Sequence, residues 1–76
     1  MLVKKLLGKE VIGSHGDKIG KMADLDIDIL SGKVKFAVIN AGFNTKYKIQ
    51  LDDIVTVGDT VILRLSDSDL KQSKKK

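Results

Sequence analysis

The sequence predicts an all-β fold, a small six-stranded antiparallel β-barrel with a short helical turn near residues 51–54. Apolar residues alternate with polar ones along most of the chain, for example at Leu25, Ile27 and Ile29, which are separated by aspartates. Side chains two residues apart share one face of a strand, so this period favours strands with one buried face. Turn residues separate the apolar runs, and closely spaced short strands are typical of small barrels and sandwiches.

The apolar runs predict six strands at about residues 9–13, 18–30, 33–40, 45–50, 54–57 and 60–65. Ser31-Gly32 and Gly58-Asp59 predict tight hairpins, because such pairs suit short turns between alternating runs. In the long second strand, the interruption at Met22-Ala23 beside Gly20 predicts a bulge or a bend. The paired aspartates Asp52-Asp53 predict the helical turn, since aspartate suits turns and helix starts.

The composition excludes several classes of protein. The chain has 76 residues, so we expect one domain over residues 1–65, followed by a disordered, flexible Lys-rich tail over 66–76. Without cysteine there is no disulfide scaffold and no thiolate metal site. No apolar run is long enough to span a bilayer, and the first residues do not resemble a signal peptide. The expected localisation is therefore cytoplasmic.

A set of short motifs follows a fixed order over residues 6–65. The motifs are Leu7–Ser14, Gly16–Lys21, Asp24–Asp28, Ser31–Val34 and Val57–Val61. Together they resemble the PRC-barrel family, which is named after a subunit of the photosynthetic reaction centre. The short chain with its lysine-rich end is most similar to the stand-alone archaeal members of that family.

The resemblance implies a fold and a class of function. It implies a six-stranded barrel that acts as a non-enzymatic adaptor between proteins, and some archaeal members are tied to the cell-division machinery. It implies no cofactor and no catalytic residues. It also implies that glycines occupy turns and bends of the barrel: Gly8, Gly13, Gly16, Gly20, Gly32 and Gly58.

Three aspartates form the most prominent polar motif. Asp24, Asp26 and Asp28 share one face of a strand, which suggests either a cation site or a solvated face opposite Lys33 and Lys35. A calcium loop would need glycine at its sixth position and glutamate at its twelfth, and this chain has Ile29 and Lys35 there. We therefore expect the solvated face and no metal site.

Ser14, His15 and Asp17 lie within one short segment and contain the residue types of a catalytic triad. A triad is assembled in space from distant segments, whereas serine, glycine and aspartate are ordinary turn residues. We therefore expect a turn here and no enzymatic activity.

Apolar residues outside the core pattern predict a protein interface. The candidate interface residues are Leu2, Val3, Ile39, Phe43 and Ile62. Leu6 and Leu7 are expected to cap one end of the barrel. Since so short a chain has little core of its own, we expect a homodimer as well as an unidentified protein partner.

An RNA- or ribosome-associated basic module is the alternative function. The net charge is +4, and a related barrel forms the end of a ribosome maturation factor. Half of that charge belongs to the tail, which has four lysines against two aspartates. Only Arg64 is an arginine, and a stacking platform needs exposed aromatic residues. Nucleic acid is therefore the less favoured partner.

Overall fold

A computed structural model describes residues 2–74 of the chain. Its α-helices are α1 (Val3–Leu6) and α2 (Asp67–Lys74), and a 3₁₀ turn covers Leu51–Asp53. The strands are β1 (Glu10–Ile12), β2 (Lys18–Asp28), β3 (Lys33–Asn40), β4 (Lys46–Ile49), β5 (Ile54–Val57) and β6 (Val61–Leu63). The strands and the helical turn therefore fall close to the positions that the alternation predicts. None of the helices within residues 2–74 is long and apolar enough to cross a membrane.

The six strands form one sheet in the order β4-β3-β2-β1-β6-β5. Neighbours pair antiparallel except β1 and β6, which are parallel, with Val11 opposite Val61. The predicted closed antiparallel barrel is thus wrong in detail, because the sheet is mixed and not closed. The pairings make β4 and β5 run in the same direction, since the 3₁₀ turn between them carries the chain onward instead of reversing it as a hairpin would.

Pairing irregularities bend the long strand β2. Its register against β3 shifts between Met22 and Asp24, which leaves Ala23 unpaired at the predicted bulge. A second shift follows Asp26. Bulges increase the local bend and twist of a strand, so β2 curves around the core and its far end extends with β3 as a hairpin.

The core contains one connected set of buried apolar side chains. Its members are Leu6, Val11, Ile19, Met22, Ala37, Ile39, Tyr47, Ile49, Val61, Leu63 and Leu70. Leu6 is buried and Leu7 packs against this set, so both contact the core, and their capping of one end stays a prediction. The set draws on all strands except β5, and on both helices.

The alternation gives the wrong inward face for β3. It predicts Val34, Phe36 and Val38 inside, but Ala37 and Ile39 are fully buried. Ile39 lies opposite Tyr47 of β4, which is also buried. Residues 36–39 of β3 are all apolar, so the period alone cannot determine which face of this stretch meets the core.

The prediction of a disordered tail is wrong over residues 67–74, which form α2. Leu70 is only 1% exposed and belongs to the core. Ser66 and Asp69 form a capping box, in which each backbone N–H donates to the other's side chain, at 3.0 and 3.2 Å. The Asp67 N–H donates to Asp17 Oδ2 at 3.0 Å, which ties the helix start to the β1–β2 loop. Lys75 and Lys76 lie outside the described residues.

Candidate protein-binding surfaces

The turn between β2 and β3 carries two large apolar side chains in solvent. Ile29 is 85% exposed and Leu30 is 98% exposed. The backbone beneath them is ordered by hydrogen bonds: the Leu30 N–H donates to Asp28 Oδ1 at 3.1 Å, and the Gly32 N–H donates to the Asp28 carbonyl oxygen at 2.7 Å. We name residues 29–32 the hairpin tip. It holds an adjacent isoleucine and leucine on a hydrogen-bonded turn, and both side chains are exposed.

Gly32 closes the hairpin tip with a positive φ of 75°. A residue with a Cβ atom is strained in that region, whereas glycine is not. The Lys33 N–H also donates to Ser31 Oγ at 3.2 Å. The four-residue turn is therefore longer than the two-residue loop that Ser31-Gly32 predicts.

A shallow groove lies at the same end of β3 as the hairpin tip. It is lined by Lys33 and Val34 of β3 and by Gln50, Leu51 and Asp52 at the 3₁₀ turn. The turn is held by the Gln50 N–H, which donates to Asp53 Oδ2 at 3.1 Å. Leu51 is 44% exposed, so the groove has an apolar side chain at its surface.

The face of β2, β3 and β4 opposite the core carries three kinds of side chain in columns. Asp24 of β2, Val38 of β3 and Lys48 of β4 form one row in register, and Asp26 lies opposite Phe36 in the next row. Directly opposed residues share a face. We name this surface the outer face, and its residues are Asp24, Asp26, Phe36, Val38, Lys46 and Lys48. It is acidic on β2, apolar on β3 and basic on β4.

Among the described side chains, no ion pair involves the charges of the outer face. Lys48 Nζ lies 4.8 Å from the centroid of the Phe36 ring, as in a cation–π contact. The ion pairs among the described side chains join Lys18 to Glu10 and Lys71 to Asp67, and neither involves the outer face. Lys21 lies beyond the bulge and is opposite Glu10. The acidic and basic columns are thus separated by the apolar one.

The predicted interface residues lie far apart. Leu2 and Val3 are exposed at α1, and Phe43 is 97% exposed in the β3–β4 turn, at the opposite end of β3 from the hairpin tip. Ile62 is half-buried on β6. Ile39 is buried in the core, so its predicted exposure is wrong. The structure therefore does not bring Ile39 and Ile62 into one patch.

The sequence pattern does not predict an interface at Ile29 and Leu30. Ile29 fits the period of β2, so the alternation assigns it to the buried face. The signal that could have identified them is their position beside Ser31-Gly32, because turn residues project beyond the core.

Most of the predicted turn glycines lie between elements. Gly8, Gly13, Gly16, Gly32 and Gly58 are in loops or turns, whereas Gly20 is within β2. A Cβ atom at Gly20 would overlap the backbone carbonyl of Asn40 and lie 2.9 Å from the Ala41 Cα. Gly20 therefore permits a close approach of β2 to the end of β3.

The aspartate motif lies on β2, and the single histidine lies apart from it in the β1–β2 loop. Asp28 lies opposite Lys33, but Asp24 and Asp26 lie opposite apolar residues and Lys35 has no register partner. Within residues 2–74, no group of three or more histidine and acidic side chains is placed to hold a metal ion. His15 is exposed in the β1–β2 loop.

Among the described titratable groups, Asp69 has a clearly shifted pKa. The Ser66 N–H, and then the Ser66 side chain, hydrogen-bond to its carboxylate and lower this pKa below 3.8. This shift comes from helix capping and does not indicate a reactive group.

The comparison with protein families supports the same architecture. The model of the PRC-barrel domain matches residues 1–70, which is nearly the whole chain. The chain belongs to the PRC-barrel family. The PRC-barrel match extends through Leu70, so it includes the start of α2 as well as the sheet. A search of curated proteins finds no match. PRC barrels are a non-catalytic kind of domain, and the family suggests a small protein-interaction or scaffold module.

Proposed function

We propose that this PRC barrel is a non-enzymatic adaptor that binds a partner protein through the hairpin tip. The observation that carries the proposal is the exposure of the adjacent Ile29 and Leu30 on an ordered turn. Single exposed apolar residues are common, but adjacent ones on one turn form a larger apolar patch, which is typical of interaction sites. A rigid turn also loses little conformational entropy on binding.

Capture from a native cell lysate tests this function. The wild-type chain, bound to a resin after nuclease treatment, is expected to retain a protein partner in high salt, because apolar contacts are little screened. The variant Leu30→Lys should lose that partner. Phe43→Lys is the matched control, since Phe43 is equally exposed but lies at the other end of β3. If the Leu30→Lys variant retains as much of the partner protein as the wild type does, the hairpin tip has no role in binding it.

The alternative of an RNA-associated module makes a different prediction. Phe36 lies beneath Lys48 and Tyr47 is buried, which leaves Phe43 as the exposed aromatic residue for base stacking. An RNA-binding module would retain nuclease-sensitive ribosomal material, with affinity that falls steeply as salt rises. Recovery of such material alone would favour this alternative over the adaptor.

We also propose that the adaptor forms a homodimer through the outer face. A two-fold axis parallel to the strands would place the acidic column of one copy opposite the basic column of the other, on both sides of a shared apolar centre at Phe36 and Val38. Such isologous interfaces are the commonest in homo-oligomers. This arrangement would match charges that the single chain leaves separated, and would cover the second apolar face of β3.

The archaeal identity and the link to cell division are further proposals. They rest on the order and spacing of the motifs. Localisation of a fluorescent fusion in an archaeal host tests the link. We expect a band at the division site, and a uniform signal throughout the cytoplasm would contradict the link.

A further inference from the structure

Strand β5 presents an open edge of the sheet. Within residues 2–74 it pairs with β6 alone and lies at one end of the strand order in the sheet. Its residues, Ile54–Val57, carry no charge, and Val55 is 59% exposed. The N–H and C=O groups along a terminal edge have no strand partner, so such an edge is a template for a further strand.

The opposite edge of the sheet is protected. Strand β4 carries Lys46 and Lys48 at alternate positions, and helix α2 contacts it. Lysines on an edge strand and a covering helix are both devices that prevent strand addition. Strand β5 carries no lysine, proline or glycine, and among residues 2–74 the element packed most closely on it is β6. The sheet is therefore open to strand addition at β5.

The charges beside β5 argue against a second copy at this edge. Asp52 and Asp53 precede the strand and Asp59 follows it. In antiparallel pairing about a two-fold axis at Thr56, Asp53 would lie opposite the other copy's Asp59. An axis between Val55 and Thr56 would oppose Asp52 and Asp59 instead. Like charges directly opposite destabilise strand pairs.

The same aspartates indicate which kind of segment would fit the edge of β5. Carboxylates near both ends of an uncharged edge complement basic residues near both ends of an added segment. Arg64, the basic residue beside Asp53, lies on the β6 side, where its backbone N–H donates to the Asp53 carbonyl oxygen at 2.8 Å. Strand addition uses main-chain hydrogen bonds for affinity and flanking side chains for specificity.

We propose that the free edge of β5 binds, by strand addition, an extended segment of a partner protein with an uncharged, β-branched centre and lysine or arginine near both ends. This inference rests on the proposed adaptor function and names a class of segment that the module binds. The β5 edge is distinct from the hairpin tip and from the outer face, so one chain has separate surfaces for separate partners.

Synthetic peptides and charge reversal test the proposal. The probe is a fluorescent peptide of alternating valine and threonine with lysines at both ends, and its control has glutamates at the ends. Fluorescence anisotropy should show that the wild-type chain binds the lysine peptide at least about tenfold more tightly. The double variant Asp52→Lys with Asp59→Lys should reverse this preference. Circular dichroism checks that the variant is folded.

Two further measurements separate strand addition from simple charge attraction and from self-pairing. A lysine peptide with a central proline keeps the charge but lacks one backbone N–H group. It should not bind, because proline cannot donate a hydrogen bond to the neighbouring strand. Equal binding of the proline peptide would overturn the proposal, as would the absence of any preference between the charged peptides. Self-association of the wild-type chain that Val55→Lys abolishes would also overturn it.

The hairpin-tip variant keeps this inference distinct from the proposed function. Leu30→Lys should leave peptide binding unchanged, because Leu30 is not on β5. If lysate capture depends on Leu30 but the peptide does not bind, only the inference about the β5 edge fails. If the peptide binds but the Leu30→Lys variant captures the partner protein from the lysate as the wild type does, the proposed role of the hairpin tip fails.

Discussion

The ion pairs Lys18–Glu10 and Lys71–Asp67 join exposed side chains at 3.0 and 3.3 Å. Exposed pairs contribute at most about 1 kcal/mol to the free energy of unfolding. At the residue scale, the fold depends more on two other features. One is the close approach of backbone segments, and the other is the capping of backbone N–H groups by side chains. Gly20 and Asp69 represent these two kinds of constraint.

Substitution of Gly20 by alanine should destabilise the fold. The new Cβ would overlap the Asn40 carbonyl, which is backbone and cannot rotate away. Overpacking of this kind lowers the free energy of unfolding by about 1–3 kcal/mol. Gly58→Ala is the matched control, because its Cβ would have open space, and we expect a change below about 1 kcal/mol. Urea denaturation measures both, and equal values would contradict the close approach as the cause.

The hydrogen bond between Ser66 and Asp69 should weaken in acid. The pKa of Asp69 is lowered in the folded chain, so its stabilising effect is fully present above the ordinary value of 3.8. The effect is lost as the pH falls through the lowered pKa, when the carboxylate becomes protonated. NMR of the Ser66 amide should therefore titrate with a midpoint below 3.8, and Asp69→Asn should abolish that titration. A midpoint at or above 3.8 would contradict the capping geometry.

At the scale of elements, helix α2 joins the sheet through few contacts. Leu70 packs into the core, Ser66 and Asp69 cap the helix start, and Asp17 accepts the Asp67 N–H. The helix is short and polar, and short helices are only marginally stable alone. Its formation therefore depends on the burial of Leu70.

Leu70→Ala should destabilise the chain and unfold α2. Removing a buried leucine side chain leaves a cavity and costs about 2–5 kcal/mol of unfolding free energy. Ser68→Ala, on the exposed side of the same helix, should change stability by less than about 0.5 kcal/mol. Thermal unfolding and hydrogen exchange of the α2 amides measure the difference. Protection of α2 that survives Leu70→Ala would show that the helix does not depend on this contact.

At the scale of the whole molecule, small size makes the second apolar face of β3 significant. A chain of 76 residues buries a smaller fraction of its surface than a larger domain does. Phe36 and Val38 lie on the side of β3 away from Ala37 and Ile39, outside the core set. Covering them in a dimer would add apolar burial that the single chain lacks.

Charge reversal should test the dimer directly. We expect the wild type to sediment as a dimer at high micromolar concentration. Variants with Asp24→Lys and Asp26→Lys, or with Lys46→Glu and Lys48→Glu, should each sediment as monomers because like charges would face each other. An equimolar mixture of the two variants should restore a heterodimer. A wild-type monomer at that concentration, or a mixture that stays monomeric, would contradict the outer-face dimer.

The strand positions and the 3₁₀ turn are predictable because they depend on local patterns. Alternating apolar residues and turn residues define strands and their ends, and Asp52-Asp53 favours a helical turn. The capping pair Ser66 and Asp69 was also present in the sequence, but the polar composition of the tail obscured it. Leu70 is the only large apolar side chain in that segment, so its burial depends on the shape of the core.

The sequence by itself determined the positions of the strands along the chain, the bulge at Ala23 and the family of the fold, because each depends on short local patterns of residues. Only the tertiary structure decided which face of β3 is buried, that β1 and β6 are parallel, and that β5 is left as an open edge. Each depends on pairing between segments distant in sequence, and an apolar strand such as β3 satisfies the local pattern with either face turned inwards.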